Sequence, residues 1–198
     1  MPKPIIAVDL DDVLTAHHEG LISWYNQTYG TELSLADVHS TNPEVWGTAT
    51  DAEAIKRVHA YFESDSFKDE KPLPGAVKVL EYLNRNYHLI VITGRDYIIE
   101  LVTREWLTEH YPSLFDDVHF TAQYSLTGRS RSKTDIVESE QVSYFIDDNL
   151  FAVVDVAKAG TPSILFGNYP WNLDEGLPTN VTRCNDWAEV QAYFDARS

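Results

Sequence analysis

Three carboxylates crowd together at the end of an apolar run near the N-terminus. In the stretch "IIAVDLDDVL" the apolar residues Ile5 to Val8 are followed by Asp9, Asp11 and Asp12. Unpaired carboxylates at the end of a buried strand are costly, because burial disfavours a charged group. The stretch therefore predicts a cationic partner beside these side chains.

Further polar groups follow two other apolar runs of the chain. The run "YHLIVIT" ends at Thr93 and is followed by Gly94, and "VSYFID" ends at Asp147 and is followed by Asp148. Lys133, in "SRSKTDIV", lies shortly before the second of these runs. Carboxylates, a hydroxyl and a lysine are the groups that hold a hard divalent cation and the oxygens of a phosphoryl group. Together they predict a site for Mg²⁺ and a small phosphorylated ligand.

These residues can act together only if the strands before them end at one place. Short apolar or β-branched runs alternate with amphipathic helical patterns along the chain. This alternation predicts an α/β fold with a doubly wound, Rossmann-like parallel sheet, which binds ligands outside the carboxyl ends of its strands. The five predicted strands are "PIIAVDL", "YHLIVIT", "DVHFT", "VSYFID" and "PSILFG", and the clearest helices are "PGAVKVLEYLNRN", "YIIELVTREWLTEHY" and "NLFAVVDVAKAG".

One long segment departs from the alternation. Residues 15–71 carry helical patterns, such as "DAEAIKRVHAYFESDSF", but no convincing strand. We predict that this segment is a small helical cap inserted after the first strand, and that residues 1–14 and 72–198 form the core. Pro72 and Pro74 in "KPLPGA" mark the return to the core, because proline interrupts regular structure.

Composition narrows the classes of partner. The 198 residues carry a formal net charge of −16 and show no basic patch, which argues against polymeric nucleic acid and against an anionic membrane surface. The apolar run at the N-terminus is too short for a signal peptide or a membrane span, and a single cysteine cannot form an internal disulfide. We expect a cytoplasmic protein with a small-molecule substrate; the oligomeric state stays open.

The ordered motifs "DLDDV", "VITGR", the lysine of "SKTDIV" and "FIDDN" resemble those of the haloacid dehalogenase-like phosphatase superfamily over residues 5–149. The resemblance implies a Mg²⁺-dependent phosphomonoester hydrolase that forms an aspartyl phosphate intermediate. It implies that Asp9 is the nucleophile and that Asp11 is the general acid and base. The implied Mg²⁺ ligands are Asp9, the backbone carbonyl of Asp11, and Asp147, with Asp148 acting through water or Lys133. The implied phosphate-binding groups are Thr93, the amide of Gly94, and Lys133.

Within the superfamily, the stretch "YFESDSFKDEKPLPGAVKVLEYL" resembles the 5′(3′)-deoxyribonucleotidases and related nucleotidases. That resemblance implies a (deoxy)nucleoside monophosphate as substrate and aromatic residues of the cap as contacts for the base. Trp46, Phe62 and Phe67 fall in the matching stretches, where their rings could stack on a flat base. The alternative is that the three rings form the core of the cap.

Several other charged and aromatic residues lie near the motifs. Arg95, in "TGRD", stands where the deoxyribonucleotidases carry serine and proline; it could bind a second anionic group or pair with a carboxylate such as Asp96 or Asp148. The pattern assigns no role to His17 and His18. It predicts that Trp171 packs against the core.

Other functions fit parts of the pattern. Receiver domains of response regulators also combine acidic residues, a threonine and a lysine, but in a different order and without a cap. A phosphatase for another small metabolite would carry the same motifs. A binding protein of this fold without catalysis is a further alternative, although all the predicted catalytic groups are present.

Overall fold

A six-stranded parallel sheet forms the centre of the computed structural model, which describes residues 3–38, 40, 42–122, 130–173 and 176–197. The other positions of the predicted core and cap ranges lie outside the described residues. The strands follow the order β3-β2-β1-β4-β5-β6, so β1 lies in the middle of the sheet. Their bounds are β1 Ile5–Val8, β2 His88–Thr93, β3 Asp117–Phe120, β4 Tyr144–Asp147, β5 Ser163–Phe166 and β6 Val181–Cys184.

The five predicted strands are confirmed, and the sixth was not predicted. The central strands are buried on both faces, so each appears in the sequence as a continuous apolar run. Strand β6 lies at the edge of the sheet, and its middle residues Thr182 and Arg183 are not buried. A four-residue strand with polar residues at its centre gives little periodic signal.

Helices cover both faces of the sheet. On one face α4 (Ala76–Leu83), α5 (Glu100–His110) and α8 (Trp187–Asp195) pack on the larger apolar cluster. On the other face α6 (Lys133–Ser139) and α7 (Leu150–Lys158) pack on the smaller one. This is the predicted doubly wound α/β arrangement. None of the helices formed by the described residues has the length and apolar character that a bilayer span requires.

The described residues of the cap form three helices between β1 and α4. They are α1 (His17–Tyr29), α2 (Asp51–Tyr61) and α3 (Asp65–Lys68). Their apolar residues form two clusters, one of which also includes Ile99 of the core. Thr15 and Pro72 form an antiparallel bridge, so the two connections between cap and core run side by side. The assignment of residues 15–71 to the cap remains a prediction.

A turn after β5 depends on a glycine. Gly167 has φ +77, and a Cβ atom at this position would lie 2.2 Å from Cε2 of Tyr169. We expect Gly167→Ala to lower the free energy of unfolding by about 2 kcal/mol, because the substitution combines backbone strain with a steric clash. Gly30→Ala is the matched control, since Gly30 has φ +68 and a Cβ atom added there would meet nothing within 4 Å. Denaturant unfolding measures both variants, and equal losses would contradict the predicted clash.

Candidate active site

The carboxyl ends of β1, β2 and β4 bring the predicted site residues together. Strand β1 pairs with β2 on one side and with β4 on the other. The backbone N–H of Asp9 donates to the carbonyl of Ile146 at 2.8 Å, which fixes the start of the acidic loop beside β4. Asp9, Thr93 and Asp147 are all buried at this edge of the sheet.

Lys133 joins two of the carboxylates. Its Nζ atom lies 2.7 Å from Oδ1 of Asp9 and 2.6 Å from Oδ2 of Asp147. The lysine is the first residue of α6, whose start is fixed by a capping box between Ser132 and Asp135. Burial disfavours the charge of Lys133, but the two carboxylates outweigh this effect and raise its pKa. The lysine is therefore held as a cation between the first and fourth strands.

The carboxylates at this edge outnumber the lysine. Oxygens of Asp9, Asp147 and Asp148 all lie within 4.8 Å of one another. Burial raises the pKa of all three, and the Asp147 charge adds to this effect at Asp9 and Asp148, although Lys133 opposes it. The available ligand atoms are carboxylate oxygens, and the single positive charge of Lys133 does not balance their negative charge. Such a site fits a hard divalent cation such as Mg²⁺. The resemblance implied that Asp148 acts through water or through Lys133. In the structure, one oxygen of Asp148 belongs to this group.

Asp11 lies apart from that group and pairs with Arg95. The Nε atom of Arg95 lies 3.2 and 3.1 Å from the two Asp11 oxygens, and Nη2 lies 2.6 Å from Oδ1. Burial disfavours ionisation of Asp11, but the Arg95 guanidinium and His17 outweigh it and hold its pKa well below the usual range. Arg95 therefore pairs with a carboxylate, as the sequence suggested, but the carboxylate is that of Asp11 and not that of Asp96 or Asp148. Asp96 accepts the N–H of Ile98 at 3.1 Å.

Two aromatic rings of the cap hold Arg95 in place. The guanidinium carbon lies 4.9 Å from the ring centre of Phe62 and 5.1 Å from that of Phe67. Nη1 also donates to Oγ1 of Thr103 at 3.1 Å. Phe67 is not among the residues that line the cavity at this site. It is buried in an apolar cluster, which is the alternative that the sequence left open, and it packs against Arg95.

The predicted phosphate-binding residues follow β2. Thr93 is fully buried, and its Oγ1 accepts the backbone N–H of Arg95 at 3.2 Å. Gly94 lines the cavity, as do Asp9 and Lys133. The structure thus brings a hydroxyl, a glycine and a lysine to the edge where the carboxylates lie.

A cavity of about 390 Å³ connects this edge with the cap. Trp46 and Phe62 line it, and both rings also belong to apolar clusters of buried residues, so the predicted base contact stays a prediction. The indole Nε1 of Trp46 donates to the carbonyl of Ser40 at 3.0 Å. The cap contributes more apolar than polar residues to the wall of the cavity. The apolar residues are Leu21, Val38, Pro43, Trp46, Ala54, Ile55, Val58 and Phe62, and the polar residues are His17, His18, Ser40, Asp51 and His59. A small molecule with an apolar or flat portion fits such a wall.

Sequence reasoning missed several contacts of the site. His17 is buried and lies within 3.5 Å of Asp11 and 3.0 Å of Glu70, and His18 pairs with Asp12. Trp171 donates its indole N–H to Oδ2 of Asp148 at 2.6 Å, so it does more than pack against the core. A histidine pair at a helix start and a glutamate in a charged segment give no local signal for such contacts.

Comparison with known proteins identifies the family. The family model described as 5′ nucleotidase, deoxy (pyrimidine), cytosolic type C protein matches residues 3–197. BH1399 of Halalkalibacterium halodurans, whose name proposes a nucleotidase, is 24% identical over 190 residues, which are 95% of this chain and 91% of that protein.

Solved structures share the fold over nearly the whole chain. A predicted phosphatase from Clostridium acetobutylicum has a TM-score of 0.71 at 19% identity and covers 99% of this chain and 100% of its own. The haloacid dehalogenase-like hydrolase SP0104 from Streptococcus pneumoniae has a TM-score of 0.69 at 16% identity. This match covers 97% of this chain and 98% of the SP0104 chain. These likenesses confirm the predicted haloacid dehalogenase-like fold. Because the family model matches almost every residue, the chain belongs to the cytosolic type C 5′-nucleotidase family of phosphatases.

Proposed function

We propose that this protein is a Mg²⁺-dependent phosphomonoester hydrolase that forms an aspartyl phosphate on Asp9 and acts on nucleoside monophosphates. The observation that carries the proposal is the bridge from Lys133 to Asp9 and Asp147, because Lys133 and Asp9 line a cavity between the core and the cap. The lysine and the carboxylates supply the charges that phosphoryl transfer needs.

Asp9 is the proposed nucleophile. Its carboxylate attacks phosphorus in line with the leaving oxygen, and the bond from phosphorus to that oxygen breaks. Lys133 lies 2.7 Å from Oδ1 of Asp9, so it limits the rotation of the carboxylate. Attack through a carboxylate divides one difficult displacement into two easier ones, because water then hydrolyses the aspartyl phosphate.

Asp11 is the proposed general acid and base. As an acid it donates a proton to the leaving oxygen, and as a base it takes a proton from the water that attacks the aspartyl phosphate. Its low pKa in the free chain keeps it ionised beside Arg95. A phosphate dianion next to Asp11 opposes ionisation and therefore raises that pKa toward the range in which the carboxyl can donate a proton.

The residues that would hold Mg²⁺ are Asp9, Asp147 and the backbone carbonyl of Asp11, with Asp148 beside them. When bound, the ion supplies positive charge that offsets the repulsion between a carboxylate and a phosphate dianion. The burial of these carboxylates and the shortage of cations around them support this assignment. Thr93, the Gly94 amide and Lys133 are the proposed contacts of the phosphoryl oxygens.

The substrate class rests on the cavity and on the family. A phosphoryl group beside Lys133 would leave the rest of the molecule against the apolar wall of the cap, where Trp46 and Phe62 could contact a base. The family description names a deoxynucleotide and a cytosolic protein, and we propose the same substrate class and compartment for this chain.

A substrate panel tests the proposal. The panel contains deoxyribonucleoside and ribonucleoside monophosphates, sugar phosphates and p-nitrophenyl phosphate, each with Mg²⁺ and with a chelator, and phosphate release is measured. We expect selective turnover of nucleotides that the chelator abolishes. Turnover of p-nitrophenyl phosphate alone would exclude the nucleotidase function, and a lack of turnover on all substrates would favour a binding protein.

Filling the cavity tests the site of the base. Ala54 lies on α2 and lines the cavity, so Ala54→Phe should lower kcat/KM for nucleotides by about tenfold and change the value for p-nitrophenyl phosphate far less. Ala52→Phe is the control, because Ala52 is exposed on the same helix. Steady-state kinetics of both variants measure the effect. An equal loss for both substrates in Ala54→Phe would contradict base binding against this wall.

A further inference from the structure

A buried pair outside the four motifs contacts the proposed acid. His17 begins α1, and Glu70 lies in the segment between α3 and α4. The Nδ1 atom of His17 is 3.0 Å from Oε1 of Glu70 and 3.5 Å from Oδ1 of Asp11. An ionised carboxylate accepts hydrogen bonds but cannot donate them. The hydrogen that Nδ1 of His17 shares with the two carboxylates is therefore carried by Nδ1.

Three different parts of the chain fix the orientation of Glu70. The hydroxyl of Tyr61 in the cap donates to Oε1 at 2.6 Å, and the hydroxyl of Thr15 in the first connection donates to Oε2 at 3.2 Å. In the core, Nε1 of Trp106 donates to the backbone carbonyl of Glu70 at 3.1 Å. Each carboxylate oxygen therefore has a donor, and a buried carboxylate held in this way has little freedom to rotate.

Ring contacts fix the orientation of His17. Its imidazole stacks on the ring of Phe62 with centres 5.3 Å apart and an angle of 19°. It also meets the ring of Tyr61 at 5.4 Å and 60°. Because these rings of the cap confine the imidazole, the Nδ1–H stays directed at the carboxylates of Glu70 and Asp11.

Asp11 is thus held from two sides. Arg95 contacts both of its oxygens, and His17 contacts Oδ1 from the side of the cap connection. We propose that Glu70 and His17 are positioning residues for Asp11: Glu70 orients His17, and His17 together with Arg95 fixes the carboxyl group for proton transfer to the leaving oxygen. This inference rests on the proposed function. It also means that contacts with the cap help to set the orientation of the acid.

The proton transfer gives the inference a specific kinetic signature. When the bond from phosphorus to the leaving oxygen breaks, its electron pair stays on that oxygen, which takes the proton from Asp11. A poor leaving group needs this proton more than a good one does. The ratio kcat/KM includes only the steps up to release of the leaving alcohol, so hydrolysis of the aspartyl phosphate does not enter it.

The experiment compares 4-methoxyphenyl phosphate with 4-nitrophenyl phosphate, which have similar size but very different leaving-group acidity. In His17→Phe the ring that packs on Phe62 is kept and the Nδ1–H is lost. We expect kcat/KM to fall about fivefold more for the methoxy ester than for the nitro ester. Asp11→Asn should show the same preference more strongly. His17→Asn, whose side-chain N–H can replace Nδ1–H, should restore most of the wild-type ratio between the two esters.

The outcomes distinguish failure of the positioning role from failure of the proposed function. If Asp11→Asn shows the leaving-group preference and His17→Phe lowers both esters equally, the positioning role is wrong and the proposed function stands. If Asp11→Asn shows no preference, the acid role of Asp11 and the positioning role both fail. Thermal unfolding checks that His17→Phe is folded. If His17→Phe is unfolded, Glu70→Gln is measured in its place. We expect the ratio of kcat/KM for the methoxy ester to kcat/KM for the nitro ester to fall about threefold in Glu70→Gln. An unchanged ratio would overturn the positioning role.

Discussion

Asp9→Asn should reduce phosphate release to the level of the reaction without protein while the chain remains folded. The amide is a far weaker nucleophile than the carboxylate, so no aspartyl phosphate can form at a useful rate. The substitution keeps the shape of the side chain and removes one of the buried carboxylates, which relieves repulsion among Asp9, Asp147 and Asp148. We therefore expect unchanged or slightly raised thermal stability in the absence of metal.

The control is Asp155→Asn, because Asp155 is exposed on α7. It should retain the turnover of the unmodified chain. Initial rates and thermal unfolding are measured for both variants in the presence of Mg²⁺ and a chelator. Near-normal turnover by Asp9→Asn would refute the nucleophile assignment, whereas loss of turnover together with unfolding would leave only a structural role for Asp9.

Lys133→Met should have the second-largest effect, and it should act on both stability and turnover. The lysine is the cation that contacts Asp9 and Asp147, and all three side chains are largely buried. Its removal leaves buried carboxylates without their partner, so we expect the free energy of unfolding in chelator to fall by about 3 kcal/mol. Turnover should fall by about 10²-fold to 10³-fold, because a preorganised charge next to the phosphoryl group is lost.

Metal binding gives this variant a further readout. Mg²⁺ should stabilise Lys133→Met against thermal unfolding, because an ion that binds the folded state alone shifts the equilibrium toward it. Lys78→Met is the matched control, since Lys78 is exposed on α4. If Lys133→Met and Lys78→Met have the same stability in chelator, the contacts of Lys133 with the two carboxylates contribute nothing to the fold.

The sheet and the order of its motifs could be predicted because burial on both faces leaves a clear signal. The strand before Asp9 and the strands that end at Thr93 and Asp147 appear as apolar runs, and parallel sheets place such ends at one edge. Strand β6 was missed because a four-residue edge strand with polar residues at its centre carries a weak pattern. Helix α8 was also not predicted, although it has nine residues, as α7 has. Their absence from the prediction did not affect the site.

The side-chain contacts of the site could not be predicted in the same way. The partner of Arg95 depends on how the cap lies over the sheet, since Phe62 and Phe67 hold its guanidinium above Asp11. Asp96 is closer to Arg95 in the sequence, but it accepts the N–H of Ile98 instead. Periodicity shows which residues are buried, but it does not show which buried polar groups meet across two layers.

Histidine and glutamate contacts were missed for the same reason. His17 and Glu70 are separated by the whole cap, and they meet only because Thr15 and Pro72 bring the two connections side by side. Glu70 stands among charged residues in "KDEKP", a composition that usually indicates a solvated surface. In the structure it is buried, and its charge is balanced by the donors around it.

The central claim is that phosphate passes through a covalent intermediate on Asp9, and the stereochemistry at phosphorus tests it most directly. A substrate that the chain turns over is prepared with a phosphoryl group made chiral by oxygen isotopes, and the configuration of the phosphate transferred to an alcohol acceptor is determined. Two successive in-line displacements, first by Asp9 and then by the acceptor, predict retention of configuration. Inversion would mean that the acceptor attacks phosphorus directly, and it would contradict the aspartyl phosphate mechanism.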